Sequence, residues 1–172
     1  RLLEFYKGSR ALRGLLFFSS SEIYGDPPAS AIPTDEEYRG NVGCIGPRAC
    51  YDEAKRFGET LCYLFSKTHD MPITVARPFN NYGPGMRVSD KRLPADFARC
   101  VLENRDIVIL SDGSPTRTFC YVADALSGYL LCLLHGRFDY FNIGAETPEI
   151  RVRDLAEVFS SAGRENLHFA GR

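Results

Sequence analysis

The sequence has little of what marks a metal centre, a nucleic-acid binder or a membrane protein. Its three histidines, His69, His135 and His168, stand far apart, and its six cysteines, at 44, 50, 62, 100, 120 and 132, form no Cys-x-x-Cys pair. Neither a zinc site nor a disulfide framework is expected from that spacing; reduced thiols in a cytoplasmic protein are. The histidines belong to no motif and read as structural or exposed. Neither sign of charge dominates: the formal net charge is -1, with Lys and Arg spread along the chain. This leaves no electrostatic argument for nucleic acid or an anionic membrane. The longest apolar runs, such as Tyr129 to Leu134, are too short to span a bilayer, and no secretory leader is read at the start. Internal repeats and low-complexity stretches are missing too.

What is present is the composition of an ordinary globular domain. The chain has 172 residues, 44% hydrophobic and 25% charged, enough to bury one core. Residues 1 to 9 read as the end of a helix, closed by Lys7-Gly8-Ser9. Leu15 to Phe18 is a continuous apolar run stopped by three serines, the pattern of a parallel strand buried on both faces. In open α/β sheets, ligands gather at such carboxyl ends. Gly25 to Arg48 is loop-like, punctuated by prolines and glycines, and a loop that long is usually functional or mobile. Within it, Gly40 to Gly46 is read as a glycine-rich turn and not as a phosphate loop, because no strand precedes it.

A helix is expected after Pro47, with Ala54, Phe57, Gly58, Leu61, Cys62 and Phe65 as its apolar stripe. Ile73 to Phe79 is a second strand, so strand, helix and strand form a βαβ unit. Then come a short amphipathic helix through Leu93, Phe97, Cys100 and Val101, a strand at 106–110, a turn at Asp112-Gly113 and an extended segment at 117–121. An apolar helix follows to about Leu134, with Asp124 as its cap, then a strand at 140–144 and a last helix carrying Val152, Leu155, Ala156 and Phe159 and closed by Gly163.

The stretch that organises the chain is Tyr51-Asp52-Glu53-Ala54-Lys55. Residues four apart share one helical face, so the phenol and the ammonium can enter one site, where the cation favours the phenolate. Taken alone, the pair is also what an ordinary surface helix with a solvated lysine would show. Two more polar groups fall at strand ends: Ser19 to Glu22 with Tyr24-Gly25, and Asn80 with Tyr82-Gly83-Pro84. Ser19 to Ser21 would serve equally to cap a strand end, and Asn80 to satisfy loop backbone.

In order and spacing, Ser20-Ser21-Glu22-Ile23-Tyr24-Gly25, Tyr51 to Lys55 and Arg77-Pro78-Phe79-Asn80-Asn81-Tyr82-Gly83-Pro84 resemble the extended short-chain dehydrogenase/reductases that act on nucleotide sugars. The resemblance continues through Arg117 and Asn142-Ile143-Gly144. Ser21 to Pro27 and Gly46 to Glu53 are most similar to UDP-glucuronate decarboxylases, and Gly113 to Arg117 also fits. The chain departs at Gly85-Met86, where those enzymes tend to have Arg-Met, and the Ser-Glu pair also occurs in GDP-mannose 4,6-dehydratases.

The resemblance implies an α/β fold: the C-terminal part of a Rossmann-like doubly wound parallel sheet with an interleaved small substrate-binding region. The expected segments are 1–84 (partial Rossmann-like domain), 85–120 (substrate region), 121–144 (return to the core) and 145–172 (partial substrate region). It also implies NAD as cofactor, no metal, and a nucleotide-diphosphate sugar as substrate. Tyr51, Lys55, Ser21 and Glu22 would be catalytic; Tyr51, Lys55, Ser19 and Pro78 would hold the cofactor; Ser21, Asn80, Arg92 and Arg117 would bind substrate. Arg48, Tyr24 and Asn81 would line the site or shape loops. Relatives pair through the helix carrying Tyr51 and the one before the serine strand, which implies a homodimer or a higher assembly.

Members of this family begin with a strand and a Gly-x-x-Gly-x-x-Gly turn that carries the cofactor pyrophosphate. Neither precedes the serine strand here. The expectation is therefore a piece lacking the first four strands, with poor NAD affinity, little turnover and an exposed sheet edge at Leu15 to Phe18. Readings beside the decarboxylase are a nucleotide-sugar 4-epimerase or 4,6-dehydratase and, from another class, a non-catalytic nucleotide-sugar binding or interaction module.

Overall fold

The computed structural model describes residues 1–163 and 166–170; positions 164, 165, 171 and 172 of the expected 145–172 segment lie outside the described residues. Along the chain run α1 (Leu2–Tyr6), β1 (Leu15–Phe18), α2 (Ala49–His69), β2 (Ile73–Pro78), β3 (Asn81–Tyr82), α3 (Leu93–Leu102) and β4 (Ile107–Ile109). These are followed by β5 (Thr116–Arg117), β6 (Cys120–Tyr121), α4 (Val122–Leu134), β7 (Asp139–Ile143), β8 (Ile150–Arg151), α5 (Val152–Gly163) and β9 (Leu167–Phe169). Short 3-10 turns cover Ser21–Tyr24 and Ala29–Ala31. The chain forms two compact units, Arg1–Phe79 with Ala123–Gly144, and Asn80–Val122 with Ala145–Arg172.

In the first unit, β1, β2 and β7 form a parallel sheet in the order β1-β2-β7. The central β2 is buried from Ile73 to Arg77, and Ile73 and Val75 are wholly excluded from water. Each such side chain contributes about 2 kcal/mol of hydrophobic stabilisation. Met71 and Cys62 complete this core, with Leu15, Phe17, Phe65 and Tyr140 packed around it. The α2 helix ends where Asp70 adopts a left-handed conformation (φ 52°), and α1 is followed by Gly8 at φ 79°.

Several expectations are corrected here. β1 is only partly buried, with Phe18 47% exposed, because it is the edge strand and pairs only with β2 among the described residues. On α2, the apolar stripe does not face the sheet as a set. Cys62 is buried and Gly58 and Phe65 are half-buried, whereas Ala54 and Phe57 are exposed and the inner face takes in the polar Asp52, Arg56 and Glu59. Asp124 lies inside the first turn of α4 and does not precede it, since the helix already begins at Val122. The loop 25–48 is fastened down by a Gly25–Asn41 bridge and by side-chain bonds to Thr34, Glu36 and Arg39.

In the second unit, α3 and α5 pack on Ile107 and Ile109 through Phe97, Cys100, Val152 and Ala156. β4 pairs with β9, a strand not anticipated from its three residues, while β5 pairs with β8 and β3 with β6. Among the described residues no helix is long and apolar enough to cross a membrane.

Candidate active site

The first unit gathers Ser19, Ser21, Glu22, Tyr51, Lys55 and Pro78. β1 ends at Phe18, and Lys55 donates from Nζ to the Phe18 carbonyl at 2.8 Å. The same ammonium stands 5.7 Å from the centroids of the Tyr51 and Phe17 rings. Tyr51, in the first turn of α2, keeps 46% of its surface exposed, open to a ligand. Ser19 is buried, its backbone tied to Ala76, and its hydroxyl has no hydrogen-bond partner among the described residues. A buried hydroxyl without a partner costs about 1–3 kcal/mol and is uncommon in a native fold.

Ser20 caps the 3-10 turn by accepting from the Glu22 amide at 3.3 Å, and Ser21 and Glu22 open that turn. The Glu22 carboxylate pairs with Arg48, whose guanidinium also lies 3.8 Å from Asp52 Oδ1. Asp52 is buried, and among the described residues that oxygen has no hydrogen-bond partner. Pro78 closes β2.

Sequence reasoning did not find the buried polar network beside this cluster. Arg77 donates from Nε and Nη2 to both Glu59 oxygens, at 3.0 and 2.7 Å. Its Nη1 donates to Tyr24 Oη and to the Glu36 carbonyl, both at 2.8 Å. Tyr24 in turn donates to Asn142 Oδ1 at 2.8 Å, and the guanidinium stacks 4.6 Å from the Tyr140 ring centroid. Burial pushes the Tyr24 phenol up against the pull of Arg77. Burial alone would lower the Arg77 guanidinium, but Glu59 holds it above its ordinary value. Breaking such a buried pair from one side costs about 3–5 kcal/mol. The one available signal was Glu59 at i+4 from Lys55, which places it on the same helical face.

A cavity of about 500 Å³ runs along Glu59, Arg77, Tyr140 and Glu53, and neither Tyr51 nor Lys55 lines it. The chemistry argued from Tyr51 and Lys55 therefore belongs to an open surface and not to this cavity.

The second unit carries Asn80, Arg92 and Arg117. Asn80 adopts φ 40° and its carbonyl accepts from the Cys120 amide. Arg92 occupies the position before α3 without a capping side-chain bond, and its exposed guanidinium is held by two bonds to Asp90 Oδ2, at 3.0 and 2.7 Å. Arg117 on β5 is exposed and donates to the Thr116 carbonyl. Among the described residues no cluster of His, Cys, Asp and Glu could hold a metal. Gly40, Gly43 and Gly46 do have the Gly-x-x-Gly-x-x-Gly spacing, yet they stand in a loop with no strand before them, which leaves them outside the strand-turn-helix context of a cofactor cradle.

A parallel α/β sheet with a Tyr-x-x-x-Lys helix crossing to the carboxyl end of a serine-tipped strand defines a short-chain dehydrogenase-like domain. Residues 1–144 match the model of the NAD dependent epimerase/dehydratase family, and the chain belongs to that family. UDP-glucuronic acid decarboxylase 1 of Danio rerio is 37% identical over 90% of this chain and 37% of its own length. UDP-glucuronic acid decarboxylase 6 of Arabidopsis thaliana is 39% identical over 84% of this chain and 41% of its own. The chain thus spans about two fifths of the length of these relatives. Among solved structures, UDP-glucose 4-epimerase of Thermotoga maritima with UDP-glucose matches with a TM-score of 0.85 and 25% identity, over 98% of this chain and 53% of that one. UDP-glucuronic acid 4-epimerase of Bacillus cereus, in complex with NAD and a fluorinated UDP-glucuronic acid, matches with a TM-score of 0.82 and 24% identity, over 99% and 51%.

Proposed function

We propose that this chain carries the catalytic face of an NAD-dependent nucleotide-sugar enzyme of the UDP-glucuronate decarboxylase type. The observation that carries the reading is the Lys55 ammonium, bound to the Phe18 carbonyl and facing the Tyr51 ring at the strand end where the unpartnered Ser19 hydroxyl is buried. These residues fit a nicotinamide ribose, with Lys55 and Tyr51 as its partners and Ser19 and Pro78 at the two adjoining strand ends. NAD, when bound, supplies the hydride acceptor and later the donor.

Tyr51 would take the proton of the sugar C4 hydroxyl while the C4 hydride passes to the nicotinamide, and Ser21 would hydrogen-bond the reacting oxygen. The C4 ketone would stabilise the electron pair left at C5 when the carboxylate departs as carbon dioxide; C5 would then take a proton, a step Glu22 would assist, and return of the hydride to C4 would complete the UDP-pentose. Asn80, Arg92 and Arg117 serve the nucleotide-diphosphate side, two guanidiniums being suited to such an anion. Arg92 must exchange Asp90 for the phosphate.

Calorimetric titration of the chain with UDP-glucuronate, and separately with NAD, tests the reading. Saturable UDP-glucuronate binding with weak NAD binding is expected. Absence of any nucleotide-sugar binding overturns it, and binding to Lys55→Met and Tyr51→Phe variants that is unchanged favours a non-catalytic module. Conversion to a UDP-pentose distinguishes the decarboxylase from a 4-epimerase or 4,6-dehydratase. A homodimer through α1 and α2 is supported by the exposure of Leu2, Phe5, Phe57 and Leu64. The six free cysteines support a cytoplasmic setting.

A further inference from the structure

Arg77 touches two of the elements that carry the chemistry just proposed. Its Nε and Nη2 grip Glu59 on α2, one helical turn beyond Lys55 and two beyond Tyr51, so these three residues share a face. Its Nη1 grips the hydroxyl of Tyr24, the last residue of the 3-10 turn that begins with Ser21 and Glu22. That turn is only four residues long and is closed by Gly25 at φ 66°, so Tyr24 and Ser21 move together. Tyr24 is only 2% exposed and is fixed from its other side by Asn142 on β7. The Arg77 guanidinium, itself 7% exposed, is therefore the buried tie between the turn of Ser21 and the helix of Tyr51, and it works beside the direct bond from Arg56 Nη1 on α2 to the Ile23 carbonyl at 2.9 Å and the surface pair of Glu22 with Arg48. A lysine would supply the charge without the fork.

We propose that Tyr24, Arg77 and Glu59 are positioning residues of the sugar site, acting through the Ser21 turn and the Tyr51 helix. This rests on the nucleotide-sugar reading. An ion pair kept only for fold stability is the competing account, and buried pairs are weak evidence for stability on their own. The two differ in what they do to the sugar alone.

Titration of the whole chain with UDP and with UDP-glucuronate gives, as a ratio of dissociation constants, the part of the affinity that the sugar contributes. Tyr24→Phe removes one hydroxyl and keeps the ring. It is expected to leave UDP affinity within about twofold and to change the ratio roughly three- to tenfold, the worth of about one hydrogen bond. Glu59→Gln, which keeps the shape and frees the guanidinium, is expected to act in the same direction, and Arg77→Lys not to restore the wild-type ratio. An unchanged ratio in folded Tyr24→Phe and Glu59→Gln overturns the proposal. So does a parallel loss of UDP affinity and melting temperature in both, which is general loosening. If the unaltered chain binds neither ligand, the nucleotide-sugar reading fails first, and the proposal with it.

Discussion

Lys55 donates from Nζ to the carbonyl oxygen of Phe18 at 2.8 Å, fastening the start of α2 to the carboxyl end of β1. The bond satisfies a backbone acceptor that the edge strand would otherwise leave to solvent, and it holds the ammonium toward Tyr51. The βαβ unit thus does more than bury a core: its crossover helix returns a cation to the point where the first strand stops.

Replacing that lysine by methionine removes the donor and the charge while keeping much of the aliphatic stem. Lys55→Met is expected to cost about 1 kcal/mol in urea denaturation, the usual net worth of one hydrogen bond. Any nucleotide-sugar turnover measured with added NAD is expected to fall about 10²- to 10⁴-fold.

Gly25 stands at φ 66°, and a Cβ built there would lie 2.0 Å from the Asn41 carbonyl oxygen. Neither the backbone conformation nor the backbone neighbour can yield cheaply. Gly25→Ala is expected to destabilise the chain by about 2 kcal/mol, measured by urea denaturation, and to loosen the loop around Asn41, measured by faster amide hydrogen exchange.

Cys44 and Cys50 are exposed, while Cys62, Cys100, Cys120 and Cys132 are buried. Burial, with the Glu59 charge behind it, pushes the Cys62 thiol up to about 11, so it stays protonated and unreactive in mildly alkaline buffer. Alkylation followed by mass spectrometry is expected to modify Cys44 and Cys50 in the folded protein and the other four only after denaturation.

The outer face of α2 exposes Phe57 and Leu64, seven residues apart and hence on one side of the helix. If this face joins two copies, Leu64→Glu buries a charge in the contact. Light scattering is expected to show a homodimer for the unaltered chain and a monomer for this variant.

The strands at Leu15–Phe18 and Ile73–Pro78 and the helix between them are legible because apolar runs and helical periodicity are local properties. The order of the serine, Tyr-x-x-x-Lys and Arg-Pro-x-Asn motifs is legible for the same reason. The Arg77 network is not, since Tyr24, Glu36, Glu59 and Asn142 are scattered along the chain and meet only after β2 and β7 pair. The inner face of α2 misled the periodicity argument because Glu59 is paired there with Arg77, and Arg56 with the Ile23 and Arg39 carbonyls, which makes these polar residues tolerable facing inward.

By itself, then, the sequence determined the class of fold, the strand ends at which ligands gather, and the phenol and ammonium that share one helical face, because each follows from short-range spacing. Tertiary structure alone decided that β1 is a half-exposed edge, that Lys55 is bonded to Phe18, that Ser19 has a buried hydroxyl without a partner among the described residues, and that the buried Arg77 guanidinium ties the serine turn to the helix. Those facts depend on which strand lies beside which. Hydrogen bonds between residues distant in sequence exist only once the sheet has brought them within 3 Å or so of one another.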